Sequence, residues 1–348
     1  MFVSHGFNFD LHIKAPRLAV ERHARRWRNK NRESILFKNQ CGASMKEPMH
    51  VGFLGLGQMG GAMAERLLGK DFRLHIHDPV RPAMERFVAT GAVAHDSPKS
   101  VADAAAIVFA CLPNPETSLS VASGPQGVIH GSTIKVYVEM STIGKATIEQ
   151  IAASLKSQAI HTIDAPVTGG PPVARAGKLT IMVAGEAAVL KTVWPLLATI
   201  GEKIYTLGEE PGMAQVMKVV NNLILAANMI VACEGLSMGA KAGLDGDMML
   251  QVLKAGSGQS FGGCEILRRG VDGTFDFGAA LSTCDKDVTL GLRDAGALNV
   301  EMPVIEQARQ VWHSAFEAGW GDQDFTTILK VIEQKNGTLV RRKPSSQT

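Results

Sequence analysis

The sequence predicts an α/β protein: a Rossmann-type doubly wound sheet followed by an all-helical C-terminal part, joined by a long helix. Three observations predict this fold class. Short apolar runs alternate with segments of helical composition from Met49 to about residue 208, as they do in parallel sheets. A glycine-rich turn over residues 55–60 follows the first run. Residues 212–240 contain no proline and are helical in composition, which is long for a globular helix.

The expected strands are short, and polar or turn-forming residues follow them. They cover residues 50–54, 73–77, 106–112, 135–139, 160–164 and 179–184. A helix is expected between the first two strands, over residues 62–68. The later helices are expected over residues 212–240, 245–255, 279–298, 303–318 and 324–334. The change in composition predicts a domain boundary near residue 211.

Positive charge is concentrated at the N-terminus. Residues 1–44 hold nine cations and three anions, a net charge of +6, whereas the whole chain carries +3 and the remainder therefore −3. A mildly acidic body argues against a nucleic-acid-binding surface on the folded part. The basic extension is predicted to be disordered, or translated from an upstream start with Met45 or Met49 as the natural beginning. A transit peptide is the alternative.

Cysteine usage and hydropathy narrow the class of protein. The five cysteines are scattered without metal-ligand spacing, and they fit a reducing compartment. No apolar run reaches about 18 uninterrupted residues, the length that a membrane span needs. The expectation is a cytoplasmic protein with no bound metal. The mitochondrial matrix is the alternative if residues 1–44 are a transit peptide.

A dinucleotide motif lies between the first expected strand and helix, the context that it requires. In this motif Gly55 permits a tight turn, Gly57 lets the backbone approach a pyrophosphate, and Gly60 lets helix and strand pack closely. Asp78 follows Gly60 by 18 residues, where a carboxylate can accept hydrogen bonds from ribose hydroxyls. This carboxylate would repel a 2′-phosphate and so favours NAD, while Arg81 nearby leaves NADP open.

Lys218 and Asn222 are four residues apart in the long helix and share one of its faces. The residues around Lys218 are apolar, which predicts a largely buried segment. Burial lowers the pKa of a lysine toward the range useful for proton transfer, and Asn222 could orient the same substrate oxygen. A lysine that snorkels from an amphipathic helix is the alternative interpretation.

Two further segments carry polar groups. Residues 164–172, Asp-Ala-Pro-Val-Thr-Gly-Gly-Pro-Pro, leave an expected buried strand. Their backbone N–H groups and the Thr168 hydroxyl could hold a carboxylate, although an ordinary Pro/Gly connection would have this composition too. Residues 285–288, Asp-Lys-Asp-Val, are by themselves more typical of a solvated charged patch.

Four motifs occur in one order: Gly-Leu-Gly-Gln-Met-Gly at 55–60, Asp-Ala-Pro-Val-Thr-Gly-Gly at 164–170, Lys-x-x-Asn-Asn at 218–222 and Lys-Asp at 286–287. Together they resemble the β-hydroxyacid dehydrogenase family, which includes 3-hydroxyisobutyrate dehydrogenase and tartronate semialdehyde reductase. The resemblance covers about residues 49–335. It implies hydride transfer between NAD(H), with NADP left open, and a small β-hydroxy acid or its aldehyde or keto form. The substrate types implied are 3-hydroxyisobutyrate and 2-hydroxy-3-oxopropionate.

The resemblance also implies a role for each motif. Lys218 would be the general acid/base, and Asn222 would position the substrate. The substrate would be held by Thr168, Gly169, Gly170 and Lys286. The residues implied to bind the cofactor are Gly55, Leu56, Gly57, Gln58, Met59, Gly60, Asp78, Asn114, Thr142 and Lys286.

The implied organisation has four segments: a basic extension over residues 1–48, an NAD-binding Rossmann domain over 49–211, a helical substrate and oligomerisation domain over 212–335, and a flexible tail over 336–348. The long apolar helix favours a homodimer or homotetramer. The expected partner is a small hydroxy acid, with neither nucleic acid nor membrane involved.

Two residues depart from the family pattern, and two alternatives are open. Thr168 stands where serine is more common, and its methyl group would narrow the pocket. Arg66 stands where asparagine is usual, which is expected to affect packing. An imine reductase shares this architecture but typically lacks the lysine. A non-catalytic NAD-binding oligomerisation module would also be expected to lack it. The 6-phosphogluconate dehydrogenases share the lysine helix but need a longer helical domain.

Overall fold

Apolar and β-branched residues build one sheet from the first part of the chain. The structure, a computed structural model, describes residues 48–69 and 71–342, so the predicted basic extension and Met45 lie outside the described residues. The described part contains nine strands: β1 Met49–Leu54, β2 Phe72–His77, β3 Val93–Ala94, β4 Ile107–Ala110, β5 Val136–Glu139, β6 His161–Asp164, β7 Val167–Thr168, β8 Leu179–Ala184 and β9 Gly201–Gly208.

The sheet has the order β3-β2-β1-β4-β5-β6-β8-β7, and β9 pairs with β8. The pairs from β3 to β6 are parallel, which confirms the predicted doubly wound sheet. Only β8 departs from the expected parallel series, because it runs antiparallel to β6 and β7. The chain between β6 and β8 contains β7 and a short helix, and it returns so that β8 pairs antiparallel with β7. Strands β3, β7 and β9 were not expected. Two residues give β3 and β7 no period to detect, whereas the eight-residue β9 was missed outright.

Helices cover both faces of the sheet and are the main elements of the described chain after β9. The helices are α1 Gln58–Ala64, α2 Arg81–Val88, α3 Pro98–Ala104, α4 Pro115–Ser123, α5 Lys145–Lys156, α6 Pro171–Arg175, α7 Ala187–Ile200, α8 Met213–Lys241, α9 Gly246–Ala255, α10 Arg268–Val271, α11 Leu281–Ala297, α12 Pro303–Ala315 and α13 Ile328–Asn336. The first one begins earlier than expected, because Gly57 is its N-cap, and its last turn tightens into a 3₁₀ helix, Glu65–Leu67.

Separate hydrophobic cores lie on the two sides of the predicted boundary near residue 211. Val51 and Phe109 belong to a core on one face of the sheet, and Leu54 and Tyr137 belong to a core on the other. The helical part packs around Trp312, which is fully buried. Residues from Pro48 onward nevertheless form one compact unit. The predicted boundary near residue 211 therefore separates two cores within that unit.

Helix α8 connects these cores. It is 29 residues long, and by length and composition alone it is apolar enough to cross a membrane. Its first turns contact β6, β8 and β9, and its remainder packs against α11, α12 and α13. One side of α8 is packed by these contacts, while only 39% of its most apolar 18-residue window is buried.

The chain after α13 is packed rather than flexible as far as Arg342. Thr338 Oγ1 lies 2.7 Å from Ser237 Oγ, and the backbone N–H of Val340 donates to Glu333 Oε1 over 2.7 Å. Because Val340 is fully buried in the helical core, the flexible tail predicted from residue 336 was placed too early.

Candidate active site

The glycine-rich turn after β1 has the shape that its glycines predict. Gly55 has a φ of +87°, and a Cβ there would collide with Cys111 O. A Cβ on Gly60 would collide with Gly55 O. Gly57, by contrast, has nothing within 4 Å of its Cβ position, and no side chain caps α1 there. The turn therefore leaves room for a phosphate at the start of α1.

An open cavity of about 360 Å³ lies beside this turn. Leu56, Gly57 and Gln58 line one side of it, and Arg86 and Arg175 contribute guanidinium groups. Met59 packs against the sheet core behind it. Glu65 also lines the cavity and lies 3.3 Å from Arg86 Nη1, so Arg175 and the start of α1 supply the positive potential that would fit an anionic diphosphate.

Asp78 holds the turn to the end of β2. Its Oδ2 accepts from the backbone N–H of Leu56 over 2.7 Å, and its Oδ1 accepts from that of Val80 over 2.8 Å. Asp78 is 8% exposed. Each carboxylate oxygen can accept a second bond, so the predicted contact with ribose hydroxyls stays a prediction.

The loops after β4 and β5 border the same cleft. Asn114 is the N-cap of α4 and accepts from the backbone N–H of Thr117 over 2.8 Å. The carbonyl oxygen of Thr142 accepts from Lys286 Nζ over 2.7 Å. This bond brings a residue of the helical part against the predicted cofactor loop.

Lys218 and Asn222 make the contact that their spacing predicts. Lys218 Nζ donates to Asn222 Oδ1 over 3.0 Å, and Asn221 Nδ2 donates to the same oxygen over 3.0 Å. Asn222 Nδ2 in turn donates to Asp287 Oδ2 over 2.5 Å. These bonds fix the orientation of the Asn222 amide.

The surroundings of Lys218 favour its neutral form. Burial lowers the pKa of Lys218, Asp287 opposes that shift, and Lys286 adds to it. The burial does not come from the neighbouring helix positions as expected, because Met217 is 40% exposed and Val220 is 37% exposed. It comes from across the cleft, where α11 and the end of β4 lie near the amine.

The segment 285–288 is not the solvated patch that its composition suggests. Asp285 is 9% exposed and Asp287 is 5% exposed, because α11 packs along α8. Lys286 Nζ lies 3.0 Å from Asp287 Oδ1, and Asp285 faces His313 Nδ1 at 3.3 Å. The prediction of a solvated patch is therefore wrong.

The segment proposed to hold a carboxylate is a short strand followed by a short helix. Thr168 ends β7, and the next two residues have left-handed backbone, with φ of +140° at Gly169 and +80° at Gly170. A Cβ on Gly170 would lie 3.0 Å from the ring of Phe277. Phe277 belongs to the helical part, so this loop also lies where the two parts meet.

Several residues of the cleft were missed in the sequence. Gln215 could have been noticed as a polar residue in an apolar helical turn, whereas Cys111 gave no signal. Asp287 was part of the Lys-Asp motif at 286–287, but it was given no role of its own. A second cavity adjoins the π-helix Gly262–Ile266 of the helical part. Gln259, Ser260 and Phe261 line this open cavity of about 580 Å³ together with Lys254, Cys264 and Glu265.

Both departures from the family pattern have a location. Arg66 donates from Nε to Thr199 O over 3.4 Å and lies against Gly177, which makes it a packing residue. Thr168 keeps its hydroxyl at the end of β7, where it is half-buried.

Two family models match consecutive parts of the chain. Residues 50–208 match the NAD binding domain of 6-phosphogluconate dehydrogenase. Residues 212–332 match a domain described as NAD-binding of NADP-dependent 3-hydroxyisobutyrate dehydrogenase. Both descriptions agree with the expectation of an NAD(P) cofactor.

Similar proteins match nearly over their whole length. The 2-(hydroxymethyl)glutarate dehydrogenase of Eubacterium barkeri is 34% identical over 298 residues, 85% of this chain and 99% of that protein. The NAD-dependent L-serine dehydrogenase of Pseudomonas aeruginosa is 30% identical over 297 residues, 82% of this chain and 99% of that protein.

Solved structures of a 3-hydroxyisobutyrate dehydrogenase and of an imine reductase resemble the chain to different extents. The structure of a 3-hydroxyisobutyrate dehydrogenase from Salmonella typhimurium has a TM-score of 0.74 at 28% identity, covering 81% of this chain and 99% of that one. The imine reductase of Streptomyces aurantiacus has a TM-score of 0.55 at 20% identity, covering 82% of this chain and 99% of that one. The second likeness shows a shared fold alone.

Proposed function

The chain belongs to the β-hydroxyacid dehydrogenase family, and we propose that it transfers a hydride between NAD(H) and a small β-hydroxy acid or its aldehyde or keto form. It is an NAD(P)-dependent oxidoreductase that acts on the CH–OH group of a hydroxy acid. The observation that carries the finer proposal is the contact of Lys218 Nζ with Asn222 Oδ1 in a cleft bordered by the loops of β4 and β5.

The chemistry of the relatives' substrates supports this substrate class. The compounds named for the two relatives, 2-(hydroxymethyl)glutarate and L-serine, both carry a CH₂OH group on the carbon next to a carboxylate. A 3-hydroxyisobutyrate-type acid has the same unit, and 2-hydroxy-3-oxopropionate has the corresponding aldehyde. We therefore propose a substrate in which the reacting carbon is β to a carboxylate.

The residues present fit a dinucleotide. The turn over residues 55–60 would hold the diphosphate, and Asp78, Asn114 and Thr142 would line the remainder. When bound, the nicotinamide accepts hydride from the alcohol carbon or returns it to the carbonyl carbon. The Asp78 carboxylate would repel a 2′-phosphate, so we propose NAD as the preferred cofactor.

Lys218 would move the proton of the substrate hydroxyl. Burial lowers the pKa of Lys218, which makes its neutral amine easier to form, and the neutral amine would accept that proton during oxidation. In reduction the ammonium group donates to the oxygen, on which negative charge develops. Asn222, held by Asp287, would position the same oxygen.

The substrate carboxylate would lie between the two parts of the chain. Thr168 would offer its hydroxyl, and Gly169 and Gly170 would offer backbone N–H groups. Lys286, bound to Thr142 O, would add positive charge from the opposite side. A carboxylate held there would place the β-carbon near Lys218.

A substrate panel tests this function. Purified protein would be mixed with NAD and, in parallel, 3-hydroxyisobutyrate, 2-(hydroxymethyl)glutarate, L-serine, glycerate or threonate, and NADH formation would be recorded. We expect turnover with at least one β-hydroxy acid and less with NADP than with NAD. Oxidation of NADH or NADPH with added cyclic imines, in the absence of turnover of any acid, would favour an imine reductase. No NAD(H)-linked turnover with any acid would favour the non-catalytic module.

We also propose that α8 contributes to a homodimer or homotetramer. Met217, Ile224, Val231 and Met238 recur every seven residues along α8 and are between 40% and 75% exposed. Such a stripe suits a second copy of the same helix. Size-exclusion chromatography with light scattering should give at least a dimer, and Ile224→Glu with Val231→Glu should give a monomer. A monomeric wild-type protein, or one that binds vesicles, would contradict this proposal.

A cytoplasmic location is a further proposal. The four cysteines in the described part of the chain are free, which suits a reducing compartment. Fractionation of cells that produce the native protein should find it in the cytosol. Enrichment in the mitochondrial matrix would support the transit-peptide reading instead.

A further inference from the structure

A buried hydrogen-bond network connects the loops around the cleft to the first turn of α8. The proposed function assigns no role to it. Its anchors are Glu139 and Asp164, register partners at the carboxyl ends of β5 and β6. Both are fully buried. Carboxylates persist in such places only when hydrogen bonds compensate them.

Asp164 caps the start of α8. Its Oδ2 accepts from the backbone N–H of Gly212 over 2.9 Å and from that of Gln215 over 3.0 Å. The N-cap residue, Gly212, has no side chain that could do this. Burial raises the pKa of Asp164 to about 6, against the hydrogen bonds from Gln215 and Gly212. The carboxylate thus ties the helix start to β6.

Gln215 brackets the predicted cofactor loop. Its Oε1 accepts from the backbone N–H of Ile143 over 2.9 Å and from that of Gly144 over 3.2 Å. Its Nε2 donates to Ser141 O over 3.0 Å and to Asp164 Oδ1 over 2.8 Å. A reversed amide would turn Nε2 toward two donors and Oε1 toward two acceptors. Its orientation is therefore determined, and its side chain is fully buried.

The network continues to the loop after β4. Ser141 Oγ donates to Glu139 Oε1 over 2.5 Å and accepts from the backbone N–H of Leu112 over 2.7 Å. The backbone N–H of Ser141 also donates to Glu139 Oε1, over 3.0 Å. Both loops that are predicted to line the cofactor are thereby bonded to one buried group of side chains.

We propose that Gln215 is a positioning residue, which holds α8 and the loop 141–144 in register so that Lys218 faces the reacting atoms. Lys218 follows three residues later in the same helix, nearly one full turn. Any rotation or sliding of that turn would move Nζ relative to Thr142, whose carbonyl oxygen also binds Lys286. The inference rests on the proposed function, because Lys218 gives this geometry its consequence.

Single and double variants test the network. Gln215→Met keeps the length and removes every side-chain hydrogen bond. In Asp164→Asn the new side-chain NH₂ group would face Gln215 Nε2, so that two donors meet. In Gln215→Glu the new carboxylate would face the Asp164 carboxylate, so that two acceptors meet. The double variant Asp164→Asn with Gln215→Glu restores a donor facing an acceptor between positions 164 and 215, while the bond to Ser141 O stays lost. Gln251→Met is the matched control, because Gln251 is exposed and bonds only to Asp247 on α9.

We expect Gln215→Met to lower kcat between about 10- and 100-fold, the scale of a misplaced reacting group. KM for the acid should change less than kcat, and Gln251→Met should leave both unchanged. The double variant should have a higher kcat than Gln215→Glu, because both lack the bond to Ser141 O and only the double variant regains a bond between positions 164 and 215. Two measurements do not depend on turnover. In Gln215→Met, hydrogen exchange at the Ile143 and Gly144 amides should accelerate, and the rate at which trinitrobenzenesulfonate labels Lys218 should change.

Other results would overturn the inference. A folded Gln215→Met protein with full kcat and a lower Tm would show a purely structural role. A double variant no better than Gln215→Glu would show that the hydrogen bond between positions 164 and 215 does not position Lys218. If Gln215→Met does not fold, Gln215→Glu and the double variant carry the test. If the wild type turns over no substrate, the proposed function fails. Separately, the inference about Gln215 fails if its variants show the same hydrogen exchange at Ile143 and Gly144 and the same labelling of Lys218 as the wild type.

Discussion

The Asn222 side chain on α8 donates from Nδ2 to Asp287 Oδ2 on α11 over 2.5 Å, and the two residues are 65 positions apart in the sequence. This bond leaves Oδ1 of the amide to accept from Lys218 Nζ. Asp287 also opposes the lowering of the pKa of Lys218. One carboxylate therefore orients the asparagine and shapes the electrostatic surroundings of the amine.

Removal of the Lys218 amine should abolish proton transfer with little effect on cofactor binding. Lys218→Met keeps an apolar side chain of similar length, and we expect kcat to fall by about 10²-fold or more. Lys241→Met, at the far end of the same helix, should have normal kcat. NADH fluorescence titration should give an unchanged Kd. Normal turnover by Lys218→Met would contradict the proposed role.

Neutralising Asp287 should shift the pH dependence of oxidation. Asp287→Asn still offers Asn222 an acceptor but removes the charge that raises the pKa of Lys218, so that pKa should fall further. The neutral amine then forms at lower pH, and the acid limb of kcat/KM moves to lower pH. Asp285→Asn, whose carboxylate faces His313 instead, should leave the limb in place. A shift to higher pH would refute the electrostatic argument.

Asp78 should decide between the two cofactors. Asp78→Asn removes the charge that repels a 2′-phosphate, and we expect the NADP/NAD ratio of kcat/KM to rise at least about tenfold, since close like charges repel by a few kcal/mol. The variant should also loosen the turn, because an amide cannot accept from both Leu56 and Val80 as the carboxylate does. Asp71→Asn, exposed before β2, is the control. An unchanged NADP/NAD ratio of kcat/KM would show that Asp78 stabilises the turn but does not select the cofactor.

A methyl group at Gly170 should impair substrate binding in addition to stability. Gly170 and Gly91 have φ of +80° and +98°, so alanine at either should cost about 1–2 kcal/mol of unfolding free energy. Only at Gly170 would the new Cβ meet a ring, that of Phe277 at 3.0 Å. Urea titrations should show similar losses, while KM for the acid should rise in Gly170→Ala alone. Equal KM values would place the substrate elsewhere.

His75 should make the fold sensitive to acid. Burial lowers its pKa to about 4, helped by His95, His50 and Arg73, and its ring nitrogens lie 2.8 Å from His95 and 2.9 Å from His50. Because the folded-state pKa is below 6.5, the unfolded chain binds the proton more readily. Stability should therefore fall as the pH drops from about 6.5 to 4.

The comparison for His75 is made between variants. The loss of Tm between pH 7 and pH 5 should be smaller in His75→Gln than in the wild type. His130→Gln, which replaces an exposed histidine, should retain the full loss. An identical loss in His75→Gln would show that other groups cause the acid sensitivity.

Much of the fold could be predicted from short-range patterns. The strand–turn–helix order around residues 55–60 and the apolar runs after it reflect local preferences for buried strands and tight turns. The spacing of Lys218 and Asn222 predicts their shared face, because it follows from the period of one helix. Short strands such as β3 and β7, and the antiparallel direction of β8, lack such a pattern.

The cleft depended on contacts between distant segments. In the sequence, the composition around Asp287 is typical of a solvated patch, and the packing of α11 along α8 buries it. Gln215 is visible in the sequence only as a polar residue among apolar ones. Their partners, Asn222 and the loop 141–144, lie across the fold, and no local rule pairs them. Helix and strand periods are set by a residue's immediate neighbours and can be read along the chain. The burial of an amine and the direction of an amide are set by groups that meet only after the sheet and helices have packed.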